Sequence, residues 1–203
     1  MFIGRYNKSL IITYVGVIFA ITGMYFAFLA KFKISIICLI TSGICDLFDG
    51  KFARMCKRTK EDEMFGIQLD SLADTIDFVA FPIVLGLCHG FNEWYQIVGY
   101  AFLAMAGVQR LSHFNVLVMN KKDSGPVKSY SGLPVTSTSI SYPIFWLISN
   151  WVSYSTYSII YTVLTFLTAF LFIANIKIPK FKGIAYPILV VVAIAGIVAL
   201  ILV

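Results

Sequence analysis

Charge is scarce in this chain: of 203 residues only 13% are Asp, Glu, Lys or Arg, while 59% are hydrophobic. Soluble domains carry about a quarter charged residues, so this balance excludes a water-soluble domain and indicates an integral membrane protein. Acids are the rarer sign, 10 against 16 basic residues, for a net charge of +6. The Lys and Arg fall in short clusters between apolar segments, the habit of cytoplasmic loops, and this argues against a nucleic-acid partner. Histidine occurs twice and cysteine four times. Cys38, Cys45, Cys56 and Cys88 have no metal-ligand spacing and imply no disulfide framework; they read as small packing residues in a reducing setting. No internal repeat or low-complexity tract divides the chain, so 1–203 is one membrane domain. Arg5 and Lys8 precede a long apolar run, but no small-residue cleavage site follows it, and the run is long enough to span a bilayer.

The expected fold is all-α, a polytopic membrane bundle of six to seven transmembrane helices. The spans are placed at 9–30, 34–52, 66–89, 94–119, 134–151, 154–176 and 183–203. Between them, 55–65 (MCKRTKEDEMF) is read as a mixed-charge loop, 90–93 as a tight turn, and 120–131 as a second polar loop with a Gly125-Pro126 turn signal. With the N-terminus inside, Lys31 and Lys33 are the only basic residues outside. The rest fall on or near the inner side, a strong positive-inside pattern. Trp94, Trp146 and Trp151 sit near span ends as interface anchors; the other aromatics read as lipid-facing or packing side chains.

Against this background five acids stand out, because Asp46, Asp49, Asp70, Asp74 and Asp77 lie within apolar sequence. A carboxylate near the middle of a membrane helix costs roughly 2.5–3.5 kcal/mol on insertion scales, and such residues mark ion sites, proton paths or catalytic centres. Asp46 and Asp49 are three apart, and Asp70, Asp74 and Asp77 are four and three apart, so each set shares a helix face. Opposed acidic faces are tenable only with cations between them or with some acids protonated. An all-oxygen site suits Mg²⁺ or Mn²⁺. Gly50 clears space beside Asp49, and Arg54 one turn on offers a fork for phosphate oxygens. Together these suggest a diphosphate site at the cytoplasmic side and phosphoryl-group transfer as its chemistry.

At these residues the sequence resembles the CDP-alcohol phosphotransferase family, whose signature is matched by Asp46, Asp49, Gly50, Ala53, Arg54, Gly66, Asp70 and Asp74. The 11 residues between Arg54 and Gly66 exceed the usual spacer, which implies a longer loop. The resemblance implies a CDP-linked donor, loss of CMP and a hydroxyl acceptor. It assigns Asp46, Asp49, Asp70 and Asp74 to divalent metal, two Mg²⁺ or Mn²⁺ ions, with Asp74 also the general base. Asp49, Gly50, Ala53, Arg54 and Gly66 would lie against the CDP moiety. Homodimerisation is implied by the family alone.

Within the family, FGIQLDSLADTIDF followed by Pro82, then QRLSHFNV at 109–116 and GLP at 132–134, is most similar to bacterial and archaeal phosphatidylserine synthases. That branch implies CDP-diacylglycerol as donor and L-serine as acceptor, with membrane phospholipid as product. Three places depart from it: Asp77 stands where a small polar residue is usual, Val79 where Gly is common, and Ser112-His113 where Ala-Arg is common. Another acceptor, such as glycerol 3-phosphate or an inositol compound, is the alternative. Asp77, Arg110, His113, Lys121 and Lys128 are the candidates for the acceptor or a lipid phosphate. Asp77 reads equally as a hydrogen-bonded residue facing a wet cavity, His113 as a packed histidine, and Lys121, Lys122 and Lys128 as ordinary positive-inside residues. Arg110 needs an anionic partner if it is intramembrane. Two other classes compete. A cation transporter would also use facing acids but has no need of Gly50, Ala53 and Arg54, and an intramembrane prenyltransferase spaces its Asp motifs differently.

Overall fold

The computed structural model of the chain describes residues 3–119 and 129–179. The expected span at 183–203 and the loop residues Lys121, Lys122 and Lys128 lie outside the described residues. Within them the fold is helical: α1 (Ile11–Phe28), α2 (Phe32–Met55), α3 (Lys60–Asp74), α4 (Phe81–Cys88), α5 (Trp94–Met119), α6 (Thr138–Ile148) and α7 (Tyr154–Ile173). One antiparallel ribbon joins β1 (Ser129–Ser131) to β2 (Lys177–Pro179), so the chain after α5 meets the chain after α7. Among the described residues, three helical stretches are long and apolar enough to cross a membrane: Lys8–Phe28, Lys60–Cys88 and Tyr154–Ile173. Helices α2 and α5, at 24 and 26 residues, match them in length but carry more polar sequence.

Helices α1 and α2 lie against each other along their length, and α5 packs on α7. The first pair comes close because α1 buries a row of small residues, Gly16, Ala20, Gly23 and Ala27. Lipid gives no hydrophobic drive between helices, so small residues that let backbones approach supply the packing energy instead. Gly23 is the tightest point: a Cβ there would meet Cys38 Cβ of α2 at 2.7 Å and the Phe81 ring of α4. Behind α1 and α2 the core gathers Ile36, Leu39, Phe78, Phe81, Leu85 and Leu103, all fully buried.

Residues 55–65 do not form the expected loop. Helix α3 begins at Lys60, leaving only 56–59 as connector. Thr59 caps it: its hydroxyl accepts from the Asp62 amide at 3.1 Å, and the Asp62 carboxylate accepts from the Thr59 amide at 2.9 Å. This reciprocal box satisfies two of the amides that a helix start leaves open, and Glu61, Asp62 and Glu63 suit the positive end of the helix dipole. Arg5 fastens the N-terminal segment to the same turn, bonding Asp62 at 3.0 Å and pairing with Glu61. The run of mixed charge is therefore a capped first turn.

Helices α3 and α4 are joined without a break by a π-helical turn, Thr75–Ala80. Pro82 accounts for it. A proline has no amide hydrogen and its ring crowds the carbonyl four residues earlier, here that of Phe78. That carbonyl accepts from the Thr138 hydroxyl of α6 at 3.0 Å instead. The carbonyl of Pro82 itself accepts from Tyr161 of α7 at 2.5 Å, so this irregular stretch holds two later helices at the middle of the bundle. The expected span at 134–151 is also modified: a 3₁₀ turn, Val135–Ser137, precedes α6, which has 11 residues and reaches only about 16 Å. The hydrocarbon core is about 30 Å thick, so α6 alone is too short to span it.

Candidate active site

Helix α2 brings Asp46 and Asp49 to the face of α3 that carries Asp70 and Asp74. One oxygen each from Asp46, Asp49 and Asp70 lies within 4.8 Å of the others. Across the helix pair Asp46 faces Asp74 and Asp49 faces Asp70. The four acids, with Asp77, Thr13, Gly16 and Ala73, line a small cavity of about 10 Å³, room for about one water-sized sphere. Among the described residues, five carboxylates and no basic side chain therefore face one space.

The donor set fits a hard divalent ion. It is all oxygen, and oxygens held at about 2.0–2.1 Å from one Mg²⁺ stand at most about 4.2 Å apart. Closing a trio spread within 4.8 Å takes a side-chain adjustment of about half an ångström. Thr13 of α1 orients one member, its hydroxyl donating to Asp49 Oδ2 at 3.1 Å.

The remaining sequence-predicted residues divide into two groups. Gly50 sits on the outer face beside Asp49, where an added Cβ would meet nothing within 4 Å. Arg54, one turn further, is exposed, and Ala53 is half-buried. This is open surface on the turn of α2 that follows Asp49. Gly66 is not at a close helix contact, since its Cβ would meet only Leu10 at an ordinary 3.7 Å. Arg110 does not line the acid cavity. It is half-buried and donates to the Phe172 carbonyl at 3.3 Å, in the last turn of α7, where a cation suits the helix dipole. His113 is exposed, as is Ser112. Asp77 is buried at 4% exposure and accepts from Ser42 at 2.8 Å.

Three residues escaped the sequence reading. Ser42 lies one turn before Asp46, so the stripe Ser42, Asp46, Asp49 was there to be read on α2. Thr13 and Gly16 come from α1, and only packing of α1 on α2 reveals them. Further along α3, Ser71 donates to Asn115 Oδ1 at 2.7 Å and Asn115 donates to Gln68 at 3.3 Å, tying α5 to the acid-bearing helix.

A helical, membrane-type protein with carboxylates from two facing helices, set beside open glycine and arginine, is one equipped to hold cations against a phosphate-bearing substrate. The chain belongs to the CDP-alcohol phosphatidyltransferase family, whose model matches residues 7–174. Its relatives include the CDP-diacylglycerol–serine O-phosphatidyltransferase of Saccharomyces cerevisiae, 36% identical over 103 residues that cover 49% of this chain and 36% of the yeast protein. The enzyme of that name from Methanocaldococcus jannaschii is 29% identical over 170 residues, 84% of this chain and 74% of the relative. Archaetidylserine synthase of Methanothermobacter thermautotrophicus is 28% identical over 148 residues, 72% and 58% of the two chains. The chain thus spans little more than a third of the yeast relative's length.

Proposed function

We propose that this protein transfers a phosphatidyl group from CDP-diacylglycerol to the hydroxyl of L-serine, giving phosphatidylserine and CMP. The observation that carries the reading is the convergence of Asp46, Asp49 and Asp70 from two helices onto one point, with Asp74 beside them. Support for serine comes from the names of the relatives, all of which are serine or archaetidylserine enzymes. Glycerol 3-phosphate or an inositol compound is the alternative acceptor within the same family.

Asp46, Asp49, Asp70 and Asp74 would hold Mg²⁺ or Mn²⁺, two ions balancing four carboxylates, and a bound divalent ion supplies positive charge to neutralise a diphosphate. The chain's own groups do the rest. Gly50 leaves the surface beside Asp49 clear for the CDP moiety, with Ala53 and Gly66 along the same approach, and the Arg54 guanidinium meets phosphate oxygens. Asp74 takes the proton from the serine hydroxyl as its oxygen bonds to the phosphatidyl phosphorus. The bond from that phosphorus to CMP breaks, and CMP leaves with the electron pair. Thr13 keeps Asp49 in orientation.

The enzyme would be an integral protein of the cytoplasmic membrane with six or seven spans, its N-terminus and active site on the cytoplasmic side, where a water-soluble acceptor and a bilayer lipid can meet. The basic-residue distribution supports this orientation, and the ribbon pairs the chain after α5 with the chain after α7 on one side. The working unit would be a homodimer, as in the family. The test is CMP release by purified protein in detergent with CDP-diacylglycerol, Mg²⁺ or Mn²⁺ and one acceptor at a time. Serine-dependent release is expected. Release with another acceptor alone would refute the serine assignment, and no release with any acceptor would refute the transferase reading and restore that of a cation transporter.

A further inference from the structure

The family signature ends at Asp74, yet the cavity has a fifth carboxylate that it does not use. Asp77 lies one turn deeper, is only 4% exposed and lines the cavity. Ser42 donates to its Oδ2 at 2.8 Å, while Oδ1 is buried and has no hydrogen-bond partner among the described residues. A buried acceptor without a donor is costly, and a buried carboxylate without a cation more so. Asp77 is not in the trio whose oxygens come within 4.8 Å of one another, and it lies beyond the four-acid signature, on the π-helical turn that follows α3. Gly16 keeps the space in front of it open: a Cβ there would come within 3.2 Å of Asp77 Oδ2.

Charge sharpens the inference, which rests on the transferase reading given above. Two divalent ions would balance Asp46, Asp49, Asp70 and Asp74, and among the described residues no basic side chain lines the cavity. One negative charge is left, in a space about the size of a water molecule. We propose that Asp77 and Ser42 form a seat for one small monocationic group, separate from the divalent site. Two sources offer that chemistry: the ammonium group of an amino-alcohol acceptor, which would make Asp77 a specificity determinant for serine, and a free monovalent ion. The acceptor source links the seat to the reaction, since Asp74, the proposed base, lines the same cavity.

The experiment compares wild type with Asp77→Asn, nearly isosteric but uncharged, and with Ser42→Ala. CMP release is followed with L-serine and with 3-hydroxypropanoate, which is serine without its amine, in NaCl, KCl or choline chloride of equal ionic strength. Thermal midpoints are measured under the same conditions without divalent metal, giving a readout apart from turnover. For the acceptor source, Asp77→Asn raises the serine KM about tenfold or more, the worth of a charged hydrogen bond. The KM for CDP-diacylglycerol moves far less, and the preference for serine over 3-hydroxypropanoate collapses. For the free-ion source, Na⁺ or K⁺ raises the wild-type midpoint above that in choline, and Asp77→Asn abolishes the difference. Ser42→Ala gives a smaller effect of the same kind and keeps the seat testable if Asp77→Asn does not fold. Unchanged serine KM, unchanged discrimination and no monovalent-ion response in wild type overturn the seat while leaving the transferase intact. A wild type that uses only amine-free acceptors overturns the serine reading, and with it the acceptor arm of the seat.

Discussion

Two glycine-to-alanine substitutions, 27 residues apart on different helices, should have opposite consequences. At Gly23 of α1 the new Cβ would sit 2.7 Å from Cys38 Cβ and 2.7 Å from Phe81 Cε1, 0.7 Å inside the 3.4 Å at which ordinary contact begins. Neither neighbour can swing away, since one is a Cβ and the other a ring with no exposed surface. Overpacking of this kind costs about 1–3 kcal/mol. Alanine returns up to about 1 kcal/mol of helix propensity. With two rigid neighbours the net loss should be about 1–2 kcal/mol, or about 2–8 °C in thermal midpoint for a chain of this size.

At Gly50 of α2 the same change meets nothing within 4 Å. The propensity gain stands alone, so stability should hold or rise by up to about 1 kcal/mol. Activity should move the other way: the methyl group occupies the surface proposed for the CDP moiety, and kcat/KM for CDP-diacylglycerol should fall by about tenfold or more, a loss of about 1.4 kcal/mol in transition-state stabilisation. The assay pairs thermal unfolding in detergent with CMP release well below the midpoint. Gly23→Ala should be less stable but active, and Gly50→Ala stable but impaired. A Gly23→Ala protein as stable as wild type would refute the close α1–α2–α4 packing, and full activity in Gly50→Ala would refute the substrate surface.

Asp74→Asn should lower kcat by about 10²–10⁴-fold, the usual worth of a general base, with the KM for CDP-diacylglycerol changed little; near-normal turnover would end the base assignment. Chelation with EDTA should stop CMP release and added Mg²⁺ or Mn²⁺ restore it, whereas turnover that persists after exhaustive chelation contradicts a carboxylate metal site. Divalent metal at 100 times its Kd should also stabilise the protein by about 2.7 kcal/mol, a shift that Asp46→Asn and Asp70→Asn should each diminish in a thermal melt. Thr59→Ala removes one side of the capping box and should cost about 1 kcal/mol, seen as a lower melting midpoint with catalysis retained at low temperature.

Most of the acid cluster was legible because helical periodicity is a property of spacing. Asp46 with Asp49, and Asp70 with Asp74, were placed on shared faces by numbers three and four, and α2 and α3 bring those faces together. What spacing could not convey is which third helix closes the site. Thr13 and Gly16 reach it from α1 through packing set by a row of small residues, and nothing local to them signals a carboxylate 36 positions away at Asp49. The connector at 55–65 was misread for a different reason. Its density of charge suggested a loop, but Thr59 with an acid three residues on is a helix-start pattern, weakened to the eye by Asp in place of the usual Glu. Arg110 was expected to need an anion, and a helix C-terminus with its partial negative charge supplies part of that need at the Phe172 carbonyl.

Pro82 connects the local and the global levels of this fold. Its missing amide leaves the Phe78 carbonyl without its helical partner, in a segment whose side chains Phe78, Val79 and Phe81 are fully buried. An unsatisfied carbonyl there would be costly, because lipid offers no donor. Thr138 supplies the missing hydrogen bond, which seats the start of α6 against the π-helical turn, and Gly43 lets α2 approach Ser139 from the other side. The same turn carries Asp77, three residues past the last acid of the family signature. A regular α-helix through this stretch would leave α6 without its anchor. The irregularity that a proline imposes thus holds together the helices that carry Asp46, Asp49 and Asp77, which is why a π turn, a feature frequent at functional sites, stands at the deep end of this one.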